Sequence, residues 1–380
     1  MSTLKVDTVE HPTSSSAVDL PNKLKIGGAT IEQGYTASGS EPGSANTGDW
    51  WWDTSNDKLY RYINGEFKLI GMAVVPVSGY NGARGFWYGG STTSSDSSRT
   101  NIIDYVTIAT PGNATDFGNL TESMGRNGQG ASNGVRGVRL GGEKSNSSKT
   151  NTMDYITCAT PGNATDFGNL SSAREEGTGA SNGTRGLAIG GYASSSQNVI
   201  EYITISTTGN ATDFGDCLTT KVASTGVNGE TRALVCGTTT SAAHYQTIEY
   251  IVVATTGNSV DFGDLTGNHN RGGSAADASR AVIALGYDTI ASTDNQLCYV
   301  ANDTAGNAQD FGDLTVGRYE QVAGCSDGTY AVFGGGQVYN TQTKTNTIDY
   351  VTIQTTGNAQ DFGDLTVARL EQGSFGGNAA

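Results

Sequence analysis

The chain has 380 residues and carries 37 acidic against 22 basic side chains, a formal net charge of −15. That balance, without a basic cluster, argues against nucleic acid as a partner, and with no run of 18 apolar residues no membrane insertion is expected. Glycine accounts for 54 residues, about twice the usual share of roughly 7%, and proline for only 6; with 16% charged residues this suits a turn-rich β protein and excludes a proline-rich linker or a solvated disordered chain.

In chain order, the opening Met1-Ser2-Thr3-Leu4-Lys5 lacks the basic-then-apolar layout of a secretion signal. Residues 1–45 are rich in Ser, Thr and Gly and poor in large hydrophobes, so they are expected to be extended and to order only against a partner. Residues 46–70 hold three of the four tryptophans, Trp50, Trp51 and Trp52, and an Asn64-Gly65 dipeptide that marks a hairpin. A small β meander is expected there. Residues 71–380 form the third segment, and self-similarity dominates it.

The tripeptide Asp-Phe-Gly begins at positions 116, 166, 213, 261, 310 and 361, preceded each time by a Gly-Asn pair such as Gly112-Asn113 or Gly162-Asn163. Six copies spaced by roughly fifty residues define a repeat architecture. Each unit reads as four strands. In one copy these run from about Glu176 to Ser181, Arg185 to Ile189, Val199 to Ser206 and Thr212 to Leu218, with turns at Asn182-Gly183 and Thr208-Gly209-Asn210. The third strand fixes the architecture. In Thr347 to Ile353 one face carries Ile348 and Tyr350 and the other Val351 and Ile353, so both faces must be covered. Four-stranded sheets stacked face to face around an axis satisfy this, and the expected fold is an all-β β-propeller. Six repeats give six blades. Arg369 to Ser374 begins a further strand, while Ala73 to Ser78 is a candidate first strand for the first blade. The terminal strand therefore either joins that blade or builds a seventh with the tryptophan segment.

Most candidate sites dissolve into turn chemistry or packing. Six Asp-Phe-Gly copies without a catalytic-loop Asp or paired Lys are no kinase signature. Their expected roles are Phe between blades, Gly in a tight turn and Asp accepting backbone N–H groups. Asn113-Ala114-Thr115 and its copies fit a glycosylation sequon, but their periodicity points to turns. Ser326-Asp327-Gly328-Thr329-Tyr330 has the form of a sialidase Asp-box but sits where other repeats place a hairpin turn. His11, His244 and His269 do not cluster, which argues against a copper site. Cys158, Cys217, Cys236, Cys298 and Cys325 lie far apart and are expected to be reduced, with no metal site or cofactor. Glu175, Glu176, Glu230, Glu320 and Glu371 lie near blade edges, but the sequence selects no catalytic pair, and no enzyme is expected. Trp87 and Tyr88 stand where other repeats carry smaller residues. They are expected to pack internally, with an aromatic platform for a sugar as the weaker ligand-binding reading.

With its Gly-Gly pair after the second strand, variable loop and Tyr-bearing third strand, the unit resembles a kelch-type blade, with Phe117 and its equivalents where kelch repeats carry tryptophan. The repeat Gly-Asn-Ala-Thr-Asp-Phe-Gly, the opening Met1 to Thr8, and Gly48 to Thr54 followed by Lys58 to Lys68 resemble structural proteins of marine tailed bacteriophages, especially cyanophage tail-fibre-like proteins. The resemblance implies a virion structural protein assembled in the bacterial cytoplasm. Its N-terminal segment would join other virion proteins or further copies of the chain, and its propeller would act as a tail-fibre adhesin meeting a host glycan or protein. A capsid decoration or tail adaptor binding only virion proteins is the alternative, and a polysaccharide-degrading tail enzyme ranks third.

Overall fold

A computed structural model of the chain describes residues 24–26, 29–31, 35–38, 40, 42–43, 49–53, 58–63, 66–72, 81–93, 98–126, 128, 130–239, 244–286, 295–320, 322–338 and 341–378. Among these there is no α-helix, and the chain divides into two compact units, Met1–Pro76 and Val77–Ala380.

In the first unit, Leu24–Ile26 pairs with Ala29–Ile31. A separate four-stranded sheet runs Tyr35–Ser38, Trp50–Asp53, Lys58–Ile63, Glu66–Met72. The last three strands form the expected antiparallel meander, and Phe67 meets the Tyr62 ring edge-on at 5.0 Å. Tyr35–Ser38 adds to it in parallel, opposite Trp50–Asp53. The sheet thus extends across the expected boundary at residue 45. The parallel partner, Tyr35 opposite Trp50, is reached by a crossover rather than a tight turn, which composition does not reveal.

In the second unit each repeat has four antiparallel strands, counted as one sheet per repeat; the first two are joined into one eight-stranded sheet where Thr115–Gly125 pairs with Arg136–Lys144, and a short pair, Arg318–Tyr319 with Gln337–Val338, lies outside the four-stranded sets. In the third sheet the strands are Thr178–Ser181, Arg185–Ile189, Val199–Thr204 and Thr212–Asp216, paired in chain order. These agree with the expected strands to within two residues at most ends. The first sheet differs, because its first strand comes from the other end of the chain. Gly373–Gly377 pairs antiparallel with Arg84–Tyr88, followed by Thr100–Thr107 and Thr115–Gly125. The alternative first strand, Ala73 to Ser78, lies outside the described residues. The first strands of successive sheets, Ala131–Ser132, Thr178–Ser181, Thr225–Val227, Gly273–Ala276, Ala323–Ser326 and Gly373–Gly377, each contact the next, and the last contacts the first.

Third strands are buried on both faces. In Thr347–Thr352, Ile348, Asp349 and Val351 are all buried and Tyr350 is half-buried. Apolar clusters lie between sheets rather than within them: Phe117 packs with Ile156 and Cys158 of the next repeat. In every repeat the Phe ring also meets the third-strand Tyr edge-on, as in Tyr202–Phe214 at 5.9 Å. In the first five sheets an Arg opening the second strand lies over that Tyr. Its guanidinium donates to carbonyls of the following repeat, as Arg185 does to Val253 and Ala254.

The repeated Gly-Asn-Ala…Asp-Phe-Gly text is a clasp between neighbours. The Gly and Ala N–H groups of one repeat donate to the outer strand of the preceding one, as Gly209 N to Phe167 O and Ala211 N to Asn169 O. The Asn accepts in return: Asn210 Oδ1 takes the Asn169 N–H at 3.0 Å, and all six copies make this bond at 3.0–3.1 Å. The sixth outer strand meets the first repeat in the same way, Asp364 N donating to Asn113. Asp-Phe-Gly glycines have φ from +142° to +148° at a bulge, and a Cβ on Gly168 would lie 2.3 Å from Gly209 O. Two expected roles are therefore corrected. This glycine makes room for the next repeat's carbonyl rather than forming a tight turn, and the Asp is exposed while Asn supplies the acceptor. We predict that Gly168→Ala costs about 2–4 kcal/mol through strained φ and overlap, whereas Asp166→Ala stays within about 0.5 kcal/mol. Urea denaturation of both variants measures the difference.

Candidate functional site

Buried ionic groups repeat with the same period. Seven residues after each motif Phe stand Met124, Arg174, Lys221, His269, Arg318 and Arg369. Thirteen residues before it, inside the third strand, stand Asp104, Asp154, Glu201, Glu249, Cys298 and Asp349. The cation of one repeat pairs with the acid of the next: Arg174–Glu201 at 2.6 Å, Lys221–Glu249 at 2.7 Å, Arg318–Asp349 at 2.9 Å, and across the chain ends Arg369–Asp104 at 3.0 Å. The acid also accepts from the strand that leads in, as Asp349 does from Thr315 Oγ1 at 2.6 Å.

Two junctions depart from this pattern, and both keep the charges balanced. Where the cation is replaced by Met124, Arg139 of the second strand reaches Asp154 instead, at 3.1 Å. Where the acid is replaced by Cys298, the cation position holds His269. Its Nδ1 accepts the Gly286 N–H, so the other ring nitrogen carries the proton toward Thr225 Oγ1. Burial pushes the His269 pKa down to about 3, and the ring is neutral. A charge left alone here is costly, because removing one partner of a buried pair strands the other.

Nine residues after each Phe stand Arg126, Glu176, Ala223, Arg271, Glu320 and Glu371, all left-handed at φ +48° to +61°. That conformation costs a non-glycine residue about 1–2 kcal/mol. It turns the chain so that these residues meet where the first strands converge. Backbone bonds run from Glu176 N to Arg126 O, Ala223 N to Glu176 O, Arg271 N to Ala223 O and Glu371 N to Glu320 O. Ion pairs span the remaining junctions, Arg271–Glu320 at 2.6 Å and Arg126–Glu371 at 3.6 Å. Arg271 also holds Glu176, and Arg126 holds Glu143 and Glu175. Below this charged mouth lies a cavity of about 20 Å³ lined by residues including Gly128, Thr178, Thr225, Gly273 and Ser374, room for about one water. Ser224 Oγ, buried at its wall, has no hydrogen-bond partner.

The carboxylates of this mouth feel its burial. Desolvation, a hydrogen bond with Glu143 and that residue's charge raise the Glu175 pKa against the pull of Arg126 and Lys149. Desolvation and the nearby Glu320 raise Glu371 against Arg126, Arg271 and Arg99. Burial alone would lower Arg126, but the field of Glu371, Glu175, Glu176 and Glu143 outweighs it and raises that group.

Of the acids considered in the sequence, the structure brings Glu175, Glu176, Glu320 and Glu371 together and leaves Glu230 apart and exposed. Sequence reasoning missed Glu143, Arg126 and Arg271. Trp87 and Tyr88 are buried to within 1% of full occlusion, which removes both as a sugar platform. Trp87 packs against the sixth repeat and donates to Ala323 O at 2.9 Å, while Tyr88 donates to Gly128 O and lies 5.3 Å from Phe375. They fill the two sides of the sheet that the C-terminal strand completes. All five cysteines are buried and free, and burial pushes the Cys158, Cys217 and Cys298 thiols up to about 12. Among the described residues, no group of three or more His, Cys, Asp or Glu is arranged to hold a metal. Comparison with family models and with curated proteins finds no match for the chain.

The buried charges set expectations for both mutation and pH. Arg318→Met should cost about 3–5 kcal/mol, because Asp349 is left buried and unpaired. The double change Arg318→His with Asp349→Cys, which copies the His269–Cys298 junction, should recover most of that loss in chemical denaturation. For Glu175 and Glu371, a folded pKa above the ordinary 4.5 means the folded state holds the proton more tightly. Their stabilisation is then complete below about 4.5 and fades as pH rises through the folded values. Carboxyl NMR titration should place both midpoints above 4.5, and Glu371→Gln should flatten the fall in stability over that window.

Proposed function

We propose that residues 81–378 form a closed six-bladed, kelch-like β-propeller that acts as the recognition head of a bacteriophage virion fibre, without enzymatic activity. The observation that carries the closed ring is the pairing of Gly373–Gly377 with Arg84–Tyr88, beside the contacts that link the first strands in a cycle. A C-terminal strand completing the first sheet leaves no repeat with an open inner edge, and six such sheets favour six blades over seven.

The recognition role rests on the frame. Each interface is fixed by a clasp, and four of them also by a buried ion pair between neighbouring repeats. The loops between second and third strands differ in length and sequence, as in Ser91 to Arg99, Glu143 to Lys149 and Gln337 to Lys344. Variable loops on a rigid scaffold are suited to binding. The resemblance to cyanophage fibre-like proteins makes the partner a host-surface glycan or protein, and assigns residues 1–45 and 46–70 to attachment on other virion proteins or on copies of the chain. A decoration or adaptor role keeps the same fold and differs only in partner.

Labelled protein added to host cells separates these roles. Saturable adsorption that competes with intact phage supports the adhesin. Absence of adsorption, with antibody labelling of the capsid shell or tail adaptor on virions, overturns it in favour of the structural role.

A further inference from the structure

The strongest unassigned feature is an open groove of about 330 Å³ on the outer part of the third sheet, where the third strand turns into the fourth. Tyr202 is the half-buried aromatic of the groove, Phe167 of the preceding repeat and Ile203 are buried beneath it, and Thr208, Asn210 and Thr212 form its rim. The volume lies at the lower end of the range for small-ligand sites, roughly 300–1,000 Å³. No charged side chain lines it.

The polar groups are pre-positioned. Tyr202 is held by Arg185, 4.7 Å over its ring, and by Phe214 against it. Asn210 Oδ1 is occupied by the Asn169 N–H, which leaves its amide NH₂ as a fixed donor. Threonine hydroxyls beside it donate and accept. A half-buried tyrosine, an uncharged rim and mixed donors and acceptors match a neutral ring that bears many hydroxyls. We propose that this groove is a saccharide-binding subsite. The inference rests on the proposed recognition role only for where such a sugar would come from, the host envelope.

The other repeats show how the groove is opened or closed. At the position of Thr212, the first two repeats also carry threonine, Thr115 and Thr165, beside Tyr105 and Tyr155. The fifth and sixth carry Gln309 and Gln360, whose side-chain oxygens accept from the Tyr299 and Tyr350 hydroxyls at 2.6 and 2.8 Å. Glutamine thus bridges the rim to the tyrosine and occupies its polar end. On this reading the first two repeats, which share the threonine, carry the same subsite, and a polymer reaching two of them gains avidity.

Methyl-labelled protein titrated with methyl glycosides of glucose, galactose, mannose and N-acetylglucosamine tests this. At least one glycoside should shift the Ile203 and Ile156 methyl resonances. Thr212→Gln should abolish the Ile203 shift and keep that of Ile156, and the fifth and sixth repeats show that the fold accepts glutamine there. Gln309→Thr should create a new response at Val300. No shift with any glycoside, or shifts unchanged in Thr212→Gln, overturns the subsite. Host-cell adsorption, measured separately, then still reports on the recognition role: adsorption that persists without glycoside shifts leaves that role standing and removes only the groove.

Discussion

Buried charge must be balanced at every junction between neighbouring sheets, and the rest of the second unit is arranged around that requirement. The cation is supplied by the segment that leaves one repeat and the acid by the third strand of the next, so no repeat satisfies its own acid in the pattern of Arg174–Glu201 and Lys221–Glu249. Any of the four repeats that carry Asp104, Glu201, Glu249 or Asp349, taken alone, would hold an unpaired carboxylate in an apolar setting, at a cost of several kcal/mol. Neighbours are therefore obligatory, and Arg369–Asp104 extends the obligation from the last repeat to the first. The two exceptions show that balance is kept within the chain while residue identity is not. Arg139 replaces a missing cation from a different strand, and His269 with Cys298 removes both charges together.

At the outer strands the Asn clasp acts on the same junctions, and the Arg laid over Tyr links to the following repeat as well. At the four junctions with an inter-repeat ion pair, the buried charged site and the outer clasp hold neighbouring sheets at two separated places. Such a pair of restraints fixes the angle between sheets as well as their distance, which an apolar interface alone does poorly because the hydrophobic effect is non-directional. The same logic explains why Trp87 and Tyr88 are the largest residues at their positions. The sheet completed by the chain terminus has aromatic packing on both faces, Trp87 toward the sixth repeat and Tyr88 toward the second.

Much of this was readable in the sequence, because the third strands carry apolar residues on both faces and the motif Phe recurs in every copy. The third strand behaves as its two apolar faces require: Ile348 and Val351 lie on opposite faces and both are buried. The acid between Ile348 and Tyr350 was the available signal for the ionic sites, since an Asp or Glu in a strand covered on both sides requires a partner. Its cation belongs to another repeat and becomes visible only when repeats are aligned to each other. The charged mouth was less accessible still. Glu176, Arg271 and Glu371 meet because six non-glycine residues take left-handed φ, and no residue type in the sequence announces that conformation. The parallel strand Tyr35–Ser38 escaped for a related reason, its partner being set by tertiary arrangement rather than by a turn.

These restraints also determine where the chain is free to vary. Substitution at the clasp glycine, the Asn or the ionic pair disturbs two repeats at once, so a single change cannot be absorbed locally. Thr212 and Gln309 occupy equivalent places on the outer strand, Thr212 lining a groove and Gln309 accepting from the Tyr299 hydroxyl. Exchange between threonine and glutamine there alters the surface and leaves the clasp bonds of Asn210 and Asn307 in place. The repeats can in this way carry surfaces that differ from one to the next while the bonds between neighbours are kept. Positions that hold neighbouring repeats together and positions that vary on the outer strand are separate within the same repeat, and that separation allows a strongly repetitive sequence to present a surface that is not uniform.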